Sequence, residues 1–185
     1  MMLLFLRLWG ISILISLTAC STLQVTSDFD PSANFTKLKT FAWEVPAKEK
    51  TGNVRLDNPI LEKRIKANVE NVLAAKGFTK LDSGTPDFYI GYHVALQDKV
   101  SVSSMNNYYG YAPGWGWNYA YAGGVDVYQY EQGSLTLDIV DSASNQLIWR
   151  GSAQAEVDQF AKDEKKKALL EEAITKILSG FPPKK

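Results

Sequence analysis

Apolar and polar positions alternate with two different periods along this chain, and the changes of period mark out its elements. Leu23, Val25 and Ser27 alternate with Gln24, Thr26 and Asp28, the spacing of two that a strand imposes. Asp30-Pro31-Ser32 is turn chemistry, and Lys39 to Val45 (KTFAWEV) predicts a second strand. Pro46 to Asp57 is polar and charged and predicts a surface loop. The period then becomes helical. Leu61, Ile65, Val69, Val72 and Leu73 share one face, Asp57 or Asn58 is suited to cap the first turn, and Pro59 fits where an N–H would have no partner. Gly77 supplies the C-terminal stop.

Beyond it the period of two returns. Phe88, Ile90, Tyr92, Val94 and Leu96 alternate with Asp87, Tyr89, Gly91, His93 and Ala95, and Leu135, Leu137 and Ile139 with Thr136, Asp138 and Val140. The turn residues Asp141 to Asn145 join the latter strand to Leu147–Val157, a hairpin partner. A second amphipathic helix is predicted from Asp163 to Ser179, stopped by Gly180 and Pro182-Pro183. Each helix has one apolar face and the sheet needs a cover. The expected fold is therefore α+β: a two-layer sandwich, with a mainly antiparallel sheet, two helices on one face and a long Gly/aromatic-rich loop. A single compact domain is expected over residues 23–181, followed by a short tail at 182–185.

The first nineteen residues do not fit that scheme. Arg7 precedes a mostly apolar run, Leu8 to Leu17, too short for a comfortable transmembrane helix, which needs about 20 apolar residues. Leu17-Thr18-Ala19-Cys20 then resembles the bacterial lipobox. That resemblance implies cleavage after Ala19, a diacylglycerol thioether on Cys20 and acylation of its new amino group. Residues 1–19 would be the signal peptide, and 20–22 a lipidated terminus with a very short tether. Cys20 is the sole cysteine, so lipidation would leave no free thiol. Two or more acyl chains hold a protein stably where one does not. Ser21 in place of Asp implies sorting to the outer membrane, with the domain facing the periplasm.

Composition narrows the chemistry. Twenty basic residues balance twenty acidic ones, and no run of one sign dominates, so no nucleic-acid partner is expected. One Cys and one His leave no basis for a disulfide framework or a Cys/His zinc site. The most unusual stretch is residues 105–124, MNNYYGYAPGWGWNYAYAGG. Tyr108, Tyr109, Tyr111, Trp115, Trp117, Tyr119 and Tyr121 are interleaved there with glycines, without Lys or Arg. Such rings suit stacking on a glycan, a membrane interface, or a protein or self-association interface. The plainer alternative is a loop that folds back over the sheet face the helices leave open.

The chain resembles the uncharacterised bacterial lipoproteins grouped as domain of unknown function 4136. The resemblance rests on Asp28-Phe29-Asp30-Pro31-Ser32-Ala33-Asn34-Phe35, on Lys39-Thr40-Phe41-Ala42-Trp43, on the Gly/Trp/Tyr-rich middle, and on Gly133 to Asp141 (GSLTLDIVD) followed by Leu147-Ile148-Trp149-Arg150-Gly151. It implies an envelope location and a compact domain, and carries no catalytic residues over.

No catalytic constellation is predicted. His93 is the single histidine and lies mid-strand, so a Ser–His–Asp arrangement has little basis. Asp138 and Asp141 could be read as the paired carboxylates of a glycosidase. The plainer reading gives Asp141 the turn and pairs Asp138 with Arg150 across the hairpin. Trp43 and Trp149 are expected in the core or half-buried, and Gly151 at a bulge or close approach. The expected function is that of a membrane-anchored, non-catalytic binding or structural domain of the cell envelope. It would need no cofactor or metal, and its partners would be the membrane and an envelope protein or glycan. The alternatives are an enzyme acting on envelope polymers through carboxylates, and a self-associating structural lipoprotein.

Overall fold

The computed structural model describes residues 23–44, 51–104 and 125–184. In chain order these form β1 (Gln24–Phe29), β2 (Thr40–Trp43), α1 (Pro59–Ala75), β3 (Thr79–Lys80), β4 (Phe88–Ser104), β5 (Val125–Asp141), β6 (Gln146–Glu156) and α2 (Asp163–Ser179), with one 3-10 turn at Phe35–Lys37. The strands make one six-stranded sheet in the order β1-β6-β5-β4-β2-β3. β4, β5 and β6 form an antiparallel meander, and β1 adds antiparallel to β6. β2 runs parallel to both β4 and β3, because the chain crosses over through α1 between them. The protein is thus an α+β fold with a mixed sheet, mainly antiparallel as expected, in which parallel pairing is confined to the β4-β2-β3 edge.

Local chemistry explains the element ends. The Asn58 side chain accepts a hydrogen bond from the Ile60 N–H, which caps α1, and Gly77 follows the helix at φ +89°. Asp141 Oδ1 accepts from the N–H groups of Ala143 and Ser144, at 3.1 and 2.7 Å, and so shapes the β5–β6 turn. β4 and β5 are 17 residues each, longer than their apolar alternation predicts. Their distal halves carry polar residues on both sides, so pairing continues there after the apolar signal has stopped.

One cluster of buried side chains joins sheet and helices. Phe88, Ile90 and Tyr92 of β4 and Leu135, Leu137 and Ile139 of β5 share it with Ile65, Val69 and Leu73 of α1 and Ile174, Ile177 and Leu178 of α2. Phe181, just beyond α2, is fully buried at its centre. Its ring lies 5.3 to 6.1 Å from those of Trp149, Phe78, Phe88 and Phe35. Gly151 makes room beside it: a Cβ there would meet the Trp149 ring and stand 2.6 Å from Ile177 Cγ2. This is the close approach expected of that glycine.

The two helices run in the same sense. Arg64 of α1 faces Asp163 at the start of α2, at 3.5 Å. At the other end Lys76 Nζ, just after α1, donates to the Phe181 carbonyl at 2.7 Å. Both helix N-termini therefore lie at one end of the molecule.

Candidate functional site

Residues 1–22, Cys20 among them, the segment 45–50, and the seven aromatic residues of 105–124 (Tyr108, Tyr109, Tyr111, Trp115, Trp117, Tyr119 and Tyr121) lie outside the described residues. The other residues weighed from the sequence fall on the sheet. Gly91, Asp138, Arg150 and Asp28 stand in one register row across β4, β5, β6 and β1. Asp138 is buried and accepts two hydrogen bonds from Arg150, Nε to Oδ1 at 2.6 Å and Nη2 to Oδ2 at 2.7 Å. That bidentate contact, with the carboxylate's charge, raises the Arg150 guanidinium above its ordinary value. His93 Nε2 lies 3.4 Å from Asp138 Oδ2 with its ring largely in solvent. Asp141 is held below its usual carboxylate value, chiefly by the Ser144 N–H and hydroxyl. The two aspartates thus serve an ion pair and a turn, as the plainer reading of each expects.

Trp149 is fully buried, while Trp43 is half-buried and donates its indole N–H to Glu70 Oε1 at 2.8 Å. Among the described residues no group of three or more His, Cys, Asp or Glu side chains is arranged to hold a metal ion. No described helix is long and apolar enough to cross a membrane.

A cleft of about 420 Å³ opens where the helices begin. Its origin is a mismatch of lengths. Seventeen residues of strand extend to about 55 Å, whereas a helix of 17 residues covers about 25 Å, so β4 and β5 run on past the helix N-termini. Leu61 of α1, Leu170 and Ala173 of α2, and Val94, Leu96 and Leu135 of the sheet form apolar walls there. A volume of this order is within the range of small-molecule sites, about 300–1,000 Å³. Leu23, the first described residue, lines the same cleft and packs on the core.

The charged lining of the cleft is mostly cationic. Arg55, Arg64, Lys166 and Lys167 line it, with Asp163 the sole carboxylate among the described lining residues. Arg55 pairs with Glu131 and also donates to Gln159 Oε1, at 3.3 Å, while Lys166 Nζ donates to the Gln159 carbonyl at 2.7 Å. These bonds tie the loop before α1 to the loop before α2. Val54 and Phe160, the neighbours of Arg55 and Gln159, are 86% and 88% exposed, and Ile60 on the cleft wall is 60% exposed. Sequence reasoning missed this cleft, because its cations come from positions about a hundred residues apart. Only the Lys165-Lys166-Lys167 triplet hinted at it.

No curated protein matches the chain. Among solved structures, a PDZ domain protein from Parabacteroides distasonis aligns with a TM-score of 0.54 at 16% identity, over 89% of this chain and 38% of that one. The present chain therefore spans well under half of that protein, and the likeness is one of fold. PelC dodecamers from Paraburkholderia phytofirmans, in two crystal forms, align with TM-scores of 0.48 and 0.47 at 12% identity, over 85% of this chain and 95–96% of theirs. The family model described as Domain of unknown function (DUF4136) matches residues 25–183, nearly the whole of the described body, and the chain belongs to that family.

Proposed function

We propose that this chain is an outer-membrane lipoprotein, acylated at Cys20 and facing the periplasm, whose folded body is a non-catalytic binding domain. The observation that carries the reading is the position of Leu23. It packs on the core and lines the cleft, and β1 begins at the next residue, Gln24. Leu23 lies three residues after Cys20, a stretch of at most about 11 Å, so an acyl group on Cys20 would hold the body directly against the bilayer. The body is read as a two-layer sandwich, α1 and α2 covering one sheet face and the polar row of Asp138 and Arg150 lying on the other. The roles read from the aspartates, a turn and an ion pair, support binding over catalysis. The aromatic segment 105–124 would supply a second contact, to an envelope protein or glycan.

Fractionation tests the anchor. The native chain is expected in the outer-membrane fraction. The same chain with residues 1–20 replaced by a cleavable secretory leader is expected in the soluble periplasm. A native chain found soluble would overturn the reading. For the binding role, Tyr111, Trp115, Trp117 and Tyr119 are replaced together by Ser and envelope crosslinking is repeated. Loss of specific crosslinked partners is expected, and an unchanged set contradicts a role for that segment. Release of soluble fragments from purified sacculi by the delipidated protein would replace the binding reading with an enzymatic one.

A further inference from the structure

We infer that the cleft at the helix N-termini takes one acyl chain of an anionic membrane phospholipid, with the lipid phosphate on Lys166 and Lys167. The inference rests on the anchored reading above, which puts this end of the molecule at a bilayer, and it adds a ligand class and a site.

Three observations converge on it. First, the walls are aliphatic: Leu61, Val94, Leu96, Leu135, Leu170 and Ala173 offer an acyl chain methyl and methylene contacts and little that could orient a polar ligand. Second, the charged lining residues are mostly positive. Arg55 and Arg64 are partnered by Glu131 and Asp163, while Lys166 donates to a neutral carbonyl, so the charge of the two lysines is not offset by those ion pairs. α1 and α2 also begin here, and the positive ends of their dipoles add to the same potential. Third, large apolar side chains stand in water beside the lining residues: Ile60 on the cleft itself, and Val54 and Phe160, the chain neighbours of Arg55 and Gln159. Exposed apolar residues among cations are the composition of a surface that lies in a membrane interface. Leu23 on the cleft wall places the proposed anchor at the same end. A neutral ligand would leave the cations unused, and a small soluble anion would leave the apolar walls and the exposed apolar side chains unused.

The test uses the mature chain, residues 20–185, acylated and reconstituted into phosphatidylcholine vesicles. These carry phosphatidylglycerol with a photoactivatable diazirine near the end of one acyl chain. Crosslinked residues are mapped by mass spectrometry. Labelling is expected inside the cleft, at positions such as Leu96, Leu135 and Leu170. Lys166→Gln with Lys167→Gln should lower it by about tenfold or more, on the scale of losing two cations at an anionic surface. Ala155→Phe, which narrows the cleft without touching its charge, should lower it while leaving the circular dichroism unchanged. Labelling confined to Val54, Phe160 and the N-terminal residues would overturn the inference, as would equal labelling by a phosphatidylcholine probe.

A parallel sample with Cys20→Ser separates the claims. Cleft labelling retained in this unacylated chain supports the inference even if the native chain proves not to be anchored. Labelling of the cleft only when Cys20 is unacylated would mean that the protein's own acyl chain fills it, and would overturn the assignment to a membrane phospholipid. An anchored chain with no cleft labelling in either form would overturn the inference and leave the anchored reading standing.

Discussion

Asp138 and Arg150 are brought together by the β5–β6 hairpin. The turn at 142–145 puts positions on either side of it into opposition, so a carboxylate at 138 and a guanidinium at 150 meet across the hairpin, as their register confirms. Asp138 is only 6% exposed, while the Arg150 side chain is about half exposed, so most of the desolvation falls on the carboxylate. Arg150→Ala would strand that buried charge and is expected to destabilise the fold by about 1–3 kcal/mol. A lower urea midpoint at unchanged slope is the expected readout; an unchanged midpoint contradicts the assignment. Gly151→Ala should cost about 1–3 kcal/mol by overpacking against Trp149 and Ile177, measured the same way. The place of Phe181, unlike that pairing, is not legible locally. It stands between Gly180 and Pro182, residues that read as a helix stop, and nothing in that local pattern marks it as the ring around which four others gather.

At the scale of elements, legibility followed the strength of the periodic signal. α2 runs over the residues its apolar spacing predicts, and α1 begins at Pro59 behind an Asn58 cap, because caps and a 3.6-residue stripe are local properties. β3, two residues at a sheet edge, has no period to read, and the long ends of β4 and β5 alternate too weakly. Long-range ties between elements were likewise hidden. Asp87 Oδ2, next to β4, accepts hydrogen bonds from the N–H groups of Lys39 and Thr40, at 2.9 and 2.8 Å, and from the Thr40 hydroxyl, which docks β2 beside β4. Those bonds hold its carboxyl below the ordinary value of 3.8. A depressed carboxyl stabilises the fold fully above its unfolded value, and this contribution is lost as pH falls through the lower folded value. Unfolding free energy should therefore drop on acidification below about pH 3.8, and drop less steeply in Asp87→Asn. Equal slopes for the two chains would contradict the role given to Asp87. Asn58→Ala should lower stability by about 1 kcal/mol through loss of the α1 cap.

The whole molecule joins two kinds of information. The proposed anchor at Cys20 is read from a motif in the chain and is invisible to packing. The cleft is a product of packing, invisible in the chain: strands longer than the helices that cover them leave an apolar opening, and distant cations collect around it. Leu23 belongs to both, since it lines the cleft three residues after the proposed site of acylation. The balanced charge of the chain concealed this end of the molecule, because an even total says nothing about where the signs fall in space. The most direct measurement is the mass of the N-terminal peptide of the protein purified from cell envelopes. The account predicts a peptide beginning at Cys20 and carrying a diacylglyceryl group on its sulfur and an acyl group on its amine. An unmodified Cys20, or a mature chain beginning at another residue, would contradict it.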